Sequence, residues 1–208
     1  MTTNVYVDGF NLYYGALKGT PYKWLNLGAL SKVLLPKDTI GRIRYFTAHV
    51  SARPHDPQQP VRQQTYLRAL QTVPGLSVHL GHYLVSYPRM PLRNPPASGP
   101  RTVEVMKSEE KGSDVNLATY LLLDAFRKDC DTAVVITNDS DLQEPIEIVQ
   151  QELGMRVGVI NPQKPRHRSR SLLNVTFFKQ LQERGLAKSQ FAPVIKDAHG
   201  PIYKPVGW

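Results

Sequence analysis

The run Ala133-Val134-Val135-Ile136-Thr137 carries no polar side chain until its last residue. A strand sends successive side chains to opposite faces, so a strand apolar at every position must be covered on both. That is the situation of a central strand in a parallel sheet with helices on either side. Asn4 to Val7 is a shorter run of the same kind, ending at Asp8-Gly9. Ile40–Val50, Leu76–Val85 and Arg156–Ile160 read as further strands, the last of them closing the sheet. Between them lie helical patterns: one from Leu12; one over Leu27 to Leu34, stopped by Pro36; and one through Tyr66, Leu70 and Val73, closed by Pro74-Gly75. A fourth begins at Ser113, with Val115, Ala118, Leu122 and Ala125 marking its inward face, and a fifth runs from about Pro145 to Leu153. Strands alternating with helices predict an α/β fold, a three-layer sandwich around a parallel sheet with right-handed crossovers.

Two stretches fall outside this pattern. Residues 86–101, rich in proline and carrying Arg89, Arg93 and Arg101, predict an extended arm, such as a hairpin. Val175 to Arg184 is closed by Gly185, and residues 186–208 read as an irregular tail, leaving one domain over residues 1–185. The charge balance is basic, with 26 Lys plus Arg against 17 Asp plus Glu, a net +9. Such an excess favours polyanions through counterion release, which makes nucleic acid the first partner to consider, although solubility alone accounts for it as well. The single cysteine, Cys130, excludes an internal disulfide and a cysteine-rich metal site. No signal peptide or membrane-spanning run is legible, and a cytoplasmic location is expected.

The acidic residues carry the chemistry. Asp8 stands at the carboxyl end of the first strand, and Asp139 and Asp141 just beyond the carboxyl end of the fourth. Ligands in parallel sheets bind outside those ends. Asp114, in the first turn of a helix entering from the same edge, can join them. Taken singly, each has a plainer role, as a turn residue, a helix-start acid or a cap. Together they form a hard-oxygen ligand set suited to a divalent cation such as Mg²⁺, and without a cation they would repel one another. Asn11 can hydrogen-bond a ligand or a cation's water.

Three segments, Val5-Tyr6-Val7-Asp8-Gly9-Phe10-Asn11-Leu12, Glu110-Lys111-Gly112-Ser113-Asp114-Val115 and Val135-Ile136-Thr137-Asn138-Asp139-Ser140-Asp141-Leu142, resemble the signature segments of NYN domains, in the PIN-like nuclease group. The likeness runs from Asn4 to about Leu181. Asn138 stands where many members carry Gly, and Leu142 where many carry Phe. The resemblance implies a PIN-like sandwich and a Mg²⁺- or Mn²⁺-dependent ribonuclease, in the form of an endonuclease, that hydrolyses RNA by metal-activated water. It implies Asp8, Asp114, Asp139 and Asp141 as metal carboxylates and Asn11 as a further catalytic residue. Ser140, Asn138 and Lys111 would support them; a solvated charge pair is as good a reading of Lys111.

Lys164, Arg166, Arg168 and Arg170 place four cations in seven residues after a strand end, either a path for an RNA backbone or a solvated loop. His49, His55, His79 and His82 share no metal-ligand spacing. A catalytically silent RNA-binding or regulatory member is the chief alternative, and a homo-oligomer or regulatory protein partner is left open. A Toprim-like site would normally carry Glu on its first strand. A dinucleotide site would need a glycine fingerprint that Asp8-Gly9-Phe10-Asn11 does not supply.

Overall fold

The computed structural model describes residues 1–208. The chain runs β1 (Thr2–Asp8), α1 (Gly9–Leu12, continued by a π-helical turn, Tyr13–Leu17), α2 (Leu27–Leu34), β2 (Thr39–Ala48), α3 (Gln59–Leu70) and β3 (Leu76–Ser86). A short hairpin of β4 (Arg89–Pro91) and β5 (Thr102–Glu104) leads to β6 (Lys107–Lys111) and α4 (Ser113–Phe126). Then come β7 (Thr132–Ile136), α5 (Gln143–Glu147, continued by a π-helical turn, Ile148–Glu152), β8 (Arg156–Asn161), β9 (Phe177–Gln180), α6 (Glu183–Lys188), β10 (Val194–Asp197) and β11 (Gly200–Tyr203).

The main sheet has the order β6-β3-β2-β1-β7-β8-β9. All its neighbours pair in parallel except β6, which lies antiparallel to β3 at one edge. The alternation of side chains along each strand sorts the core into two. Val5 and Val7 of β1 join Ile43, Val134 and Ile136 on the side covered by α2 and α3, while Tyr6 between them joins Phe46, Val135, Leu117 and Leu121 under α4. Helices on both faces make three layers, as the apolar run of β7 requires; all five of its residues are buried.

Three expectations need correction. The inward face of α4 is Leu117, Leu121, Asp124 and Ala125, while Val115 is 68% exposed. The cause is Asp124, a charged residue turned inward. Its carboxylate accepts from Arg44 Nε at 2.7 Å, Arg44 Nη2 at 2.8 Å and the Tyr6 hydroxyl at 2.8 Å, so the helix faces its ion pair as well as its apolar stripe. The sheet does not end at β8, because β9 pairs parallel to it from Gly158 to Asn161. Nor is the tail irregular: β10 and β11 form a hairpin, and Leu186, Phe191 and Ile202 are buried in the larger core cluster. Arg68 of α3 clamps this tail through Asp197, with hydrogen bonds of 2.7 and 2.6 Å. The arm, by contrast, is a hairpin as expected, with exposed residues throughout β4.

The rotated face of α4 can be tested by substitution. Leu117→Ala should cost about 2–5 kcal/mol in denaturant unfolding, the usual range for emptying a leucine site in a core. Val115→Ala should change stability by no more than about 0.5 kcal/mol. Equal losses at the two positions would contradict the packing described.

Candidate metal centre

Asp8 ends the middle strand and caps α1. It is 2% exposed, and its carboxylate accepts from the Asn11 backbone N–H at 2.9 Å, the Asn11 side-chain amide at 2.7 Å and the Thr137 hydroxyl at 2.9 Å. The residue after it must be glycine, since a Cβ on Gly9 would lie 2.6 Å from the Phe46 carbonyl oxygen. Burial pushes the Asp8 carboxyl up from its usual range, the hydrogen bonds from Asn11 and Thr137 pull it down, and the charge of Asp139 pushes it up again.

Register carries the second acid to the first. Val7 lies opposite Ile136, so Thr137 follows β7 just as Asp8 ends β1. The Thr137 hydroxyl donates to Asp8 and accepts from the Asp139 N–H at 3.0 Å. Asp139 in turn accepts from the Asp141 N–H at 3.0 Å, capping the turn Ser140–Leu142. Asp114 arrives from β6 through Gly112, whose φ of +96° is a left-handed conformation that favours glycine. Glu110 fixes this corner by accepting from the Ser113 N–H at 3.0 Å and the Ser113 hydroxyl at 2.7 Å.

Carboxylate oxygens of Asp8, Asp114 and Asp139 all lie within 4.8 Å of one another. The Asp114 carboxyl is pushed up to about 6, first by burial, then by the charges of Asp8, Asp139, Glu110 and Asp141. No protein cation pairs with any of the three among the ion pairs of the fold. Such a set fits a hard divalent cation: oxygen donors from separate elements, converging on one point, and short of positive charge. They open on a cleft of about 370 Å³ that Arg53, Tyr14 and Tyr83 also line.

The NYN domain model aligns with residues 2–182. The chain belongs to the NYN family. A protein of Pseudomonas putida named 6-hydroxy-3-succinoylpyridine 3-monooxygenase HspA is 33% identical over 237 residues, covering 100% of this chain and 75% of that protein. A crystal structure of a protein of unknown function from Vibrio parahaemolyticus superposes with a TM-score of 0.58 at 17% identity, covering 91% of this chain and 96% of that one. That second likeness speaks to the fold alone.

The other residues singled out from the sequence divide. Asp141 is exposed and outside the group of three, although its charge reaches Asp114. Asn11 directs its side-chain amide to Asp8 rather than to the open cleft. Ser140 is exposed at the start of its turn. Lys111 is exposed with Nζ 3.5 Å from Glu109, while its neighbour Glu110 turns to Ser113. Asn138 bridges two loops: its side chain donates to the His167 carbonyl at 3.0 Å and accepts from the Ser169 N–H at 2.7 Å. It thereby ties the loop of Lys164, Arg166, Arg168 and Arg170, all exposed, to the strand end that leads to Asp139. Sequence reasoning missed Thr137 and Glu110. A hydroxyl closing an otherwise apolar strand next to an acid was a legible signal for Thr137; Glu110, three residues before Ser113, was the corresponding one for the corner.

The sign of the electrostatics can be checked without metal. A carboxyl held above its unfolded value binds its proton more tightly in the fold, so its ionisation destabilises the fold as pH rises through that window. For Asp114 the window runs from the ordinary value of 3.8 to about 6. In EDTA, Asp114→Asn should melt higher than the wild type at pH 7.5, with the difference vanishing near pH 4. A variant that melts lower at both values would mean the carboxylate is stabilised rather than strained.

Proposed function

We propose that this NYN domain is a Mg²⁺- or Mn²⁺-dependent ribonuclease, acting as an endonuclease in the cytoplasm. The observation that carries the reading is the convergence of Asp8, Asp114 and Asp139 at the carboxyl edge of the sheet, within 4.8 Å and without a protein cation. Asp8, Asp114 and Asp139 would hold the cation directly, and Asp141, exposed beside them, would act at longer range or through water. A divalent ion held there supplies charge neutralisation at the scissile phosphate and activates water for hydrolysis. The chain's own residues do the rest. Asn11 and Thr137 hold Asp8 in one orientation, and Thr137 also fixes the backbone of Asp139. Lys164, Arg166, Arg168 and Arg170 would draw the RNA backbone along the rim, a position supported by the Asn138 tether.

Two other readings have support. A silent RNA-binding member would use the same rim, yet it has no need for three converging carboxylates. The name of the Pseudomonas putida relative supports the second: an enzyme acting on a small pyridine derivative on the same scaffold.

Asp139→Asn should abolish metal-dependent cleavage of a labelled structured RNA while leaving binding intact or slightly tighter, because one repelling charge is gone. Asp141→Asn should retain measurable cleavage, in keeping with its place outside the group of three. Should the wild type bind RNA but cut no transcript with either metal, the silent reading stands; turnover of 6-hydroxy-3-succinoylpyridine instead of RNA would establish the other.

The rim has its own signature. Arg166→Ala with Arg168→Ala should flatten the log–log salt dependence of RNA affinity by roughly 0.7 to 1 for each phosphate no longer neutralised. Affinity should fall similarly for unrelated sequences, since interactions with the backbone carry no base information. Parallel salt lines for wild type and double variant would make the loop a solvated surface.

A further inference from the structure

Beside the acidic cleft lies a second and more enclosed pocket, walled by Tyr13, Tyr14, Tyr45, Tyr66 and Trp208. It shares Phe10 and Tyr14 with the cleft, and Gly9 in its wall directly follows Asp8. Its inner wall is packed. Tyr45 and Tyr66 are buried and meet edge to face at 6.3 Å, Tyr66 and Trp208 pack at 5.6 Å, and the Tyr66 hydroxyl is anchored on the Leu25 carbonyl at 2.8 Å. The polar part of the wall includes Asp56 and Arg62, an ion pair in which Arg62 Nη2 donates to Asp56 Oδ1 at 2.6 Å.

We infer that this pocket is a ring-binding subsite for a single six-membered heteroaromatic lactam, presented next to the acidic cleft. Size selects the ring. The pocket holds about 150 Å³, the volume at which an apolar cavity admits benzene, so its size matches a single ring better than a fused purine. Chemistry selects the edge. Aromatic walls favour a flat π-system. Arg62 Nη2 is engaged by both Asp56 oxygens, which leaves the other guanidinium N–H groups as donors and the remaining carboxylate lone pairs as acceptors for a ring carbonyl next to a ring N–H. Two sources carry that edge: the uracil of an RNA strand and a free pyridone. The role as a substrate subsite rests on the reading of the cleft as the reaction centre; the binding of the ring does not.

The test is therefore run in EDTA, where the metal reading plays no part. Uridine 5′-monophosphate, 2-pyridone and adenosine 5′-monophosphate are titrated by calorimetry into the wild type, Val50→Phe and Arg62→Met. Val50 lines the pocket, and only its backbone N–H is engaged, with Gln63 at 2.9 Å. Uridine monophosphate and 2-pyridone should bind and compete with each other, with the adenosine nucleotide about tenfold weaker or worse. Val50→Phe should weaken both by about tenfold by filling the space, and Arg62→Met should weaken both by removing the edge. A short oligouridine that outcompetes 2-pyridone identifies the strand as the source; one that fails to compete identifies the free ring. No binding of either ring, equal binding of the adenosine nucleotide, or unaltered binding by a folded Val50→Phe overturns the assignment. Absence of RNA cleavage alongside intact ring binding would count against the ribonuclease and leave the pocket standing.

Discussion

A carboxylate buried at the end of the middle strand is costly to ionise, and the architecture around the cleft follows from how that cost is met. Asp8 loses almost all its water and takes three hydrogen bonds in return, two from Asn11 and one from Thr137. Hydrogen bonds to a charged acceptor contribute about 1.5–3 kcal/mol each. They offset part of the desolvation, and the carboxyl is still pushed up from its usual range, first by burial and further by the charge of Asp139. Thr137 is placed by the parallel register that sets Val7 against Ile136. A slip of one residue would turn Thr137 to the opposite face and take the Asp139 backbone with it. The site is thus a property of the β1–β7 pairing as much as of its acids.

The same chain contains a buried acid with the opposite fate. Asp124 accepts two hydrogen bonds from Arg44 and one from Tyr6, and the Arg44 guanidinium lies 4.5 Å from the Tyr120 ring centre. Here the counter-charge is supplied by the protein, and the group locks α4 onto the sheet. Truncating one member of such a pair strands the other and typically costs about 3–5 kcal/mol. The chain therefore sorts its buried and half-buried acids by partner. Asp124 has a cation of its own and is structural; Asp8, Asp114 and Asp139 have none and converge where a ligand can reach.

How much of this was legible follows the same division. Apolar runs and their spacing sufficed for the sandwich, the central strands and the edge on which the acids meet, because burial on two faces leaves few arrangements for a segment such as Ala133 to Ile136. They failed at α4, where an inward Asp124 breaks the assumption that the buried face is the apolar one. They failed again beyond Gly185, where the hairpin is held by partners more than a hundred residues away, such as Arg68 on Asp197, which no local pattern contains. Asp141 looked equivalent to Asp139 because two residues share one loop. What separates them is that Asp139 is pinned by Thr137 and Asp141 is not.

Under the proposed function the charge distribution answers a difficulty that the acids create. A phosphate chain approaching three carboxylates is repelled, yet the protein as a whole carries +9. The resolution is spatial. Asn138 joins the strand end to the cationic loop by two side-chain hydrogen bonds, so the residue just before Asp139 is also the anchor for Lys164 through Arg170. Exposed cations act over about a Debye length, roughly 8 Å at physiological salt, and can hold a polyanion at the rim while the cleft itself remains anionic. A divalent cation held by Asp8, Asp114 and Asp139 would supply the positive charge that a phosphate needs in the cleft. Asn suits position 138 for this reason, since a side chain with both a donor and an acceptor can tie the two loops together.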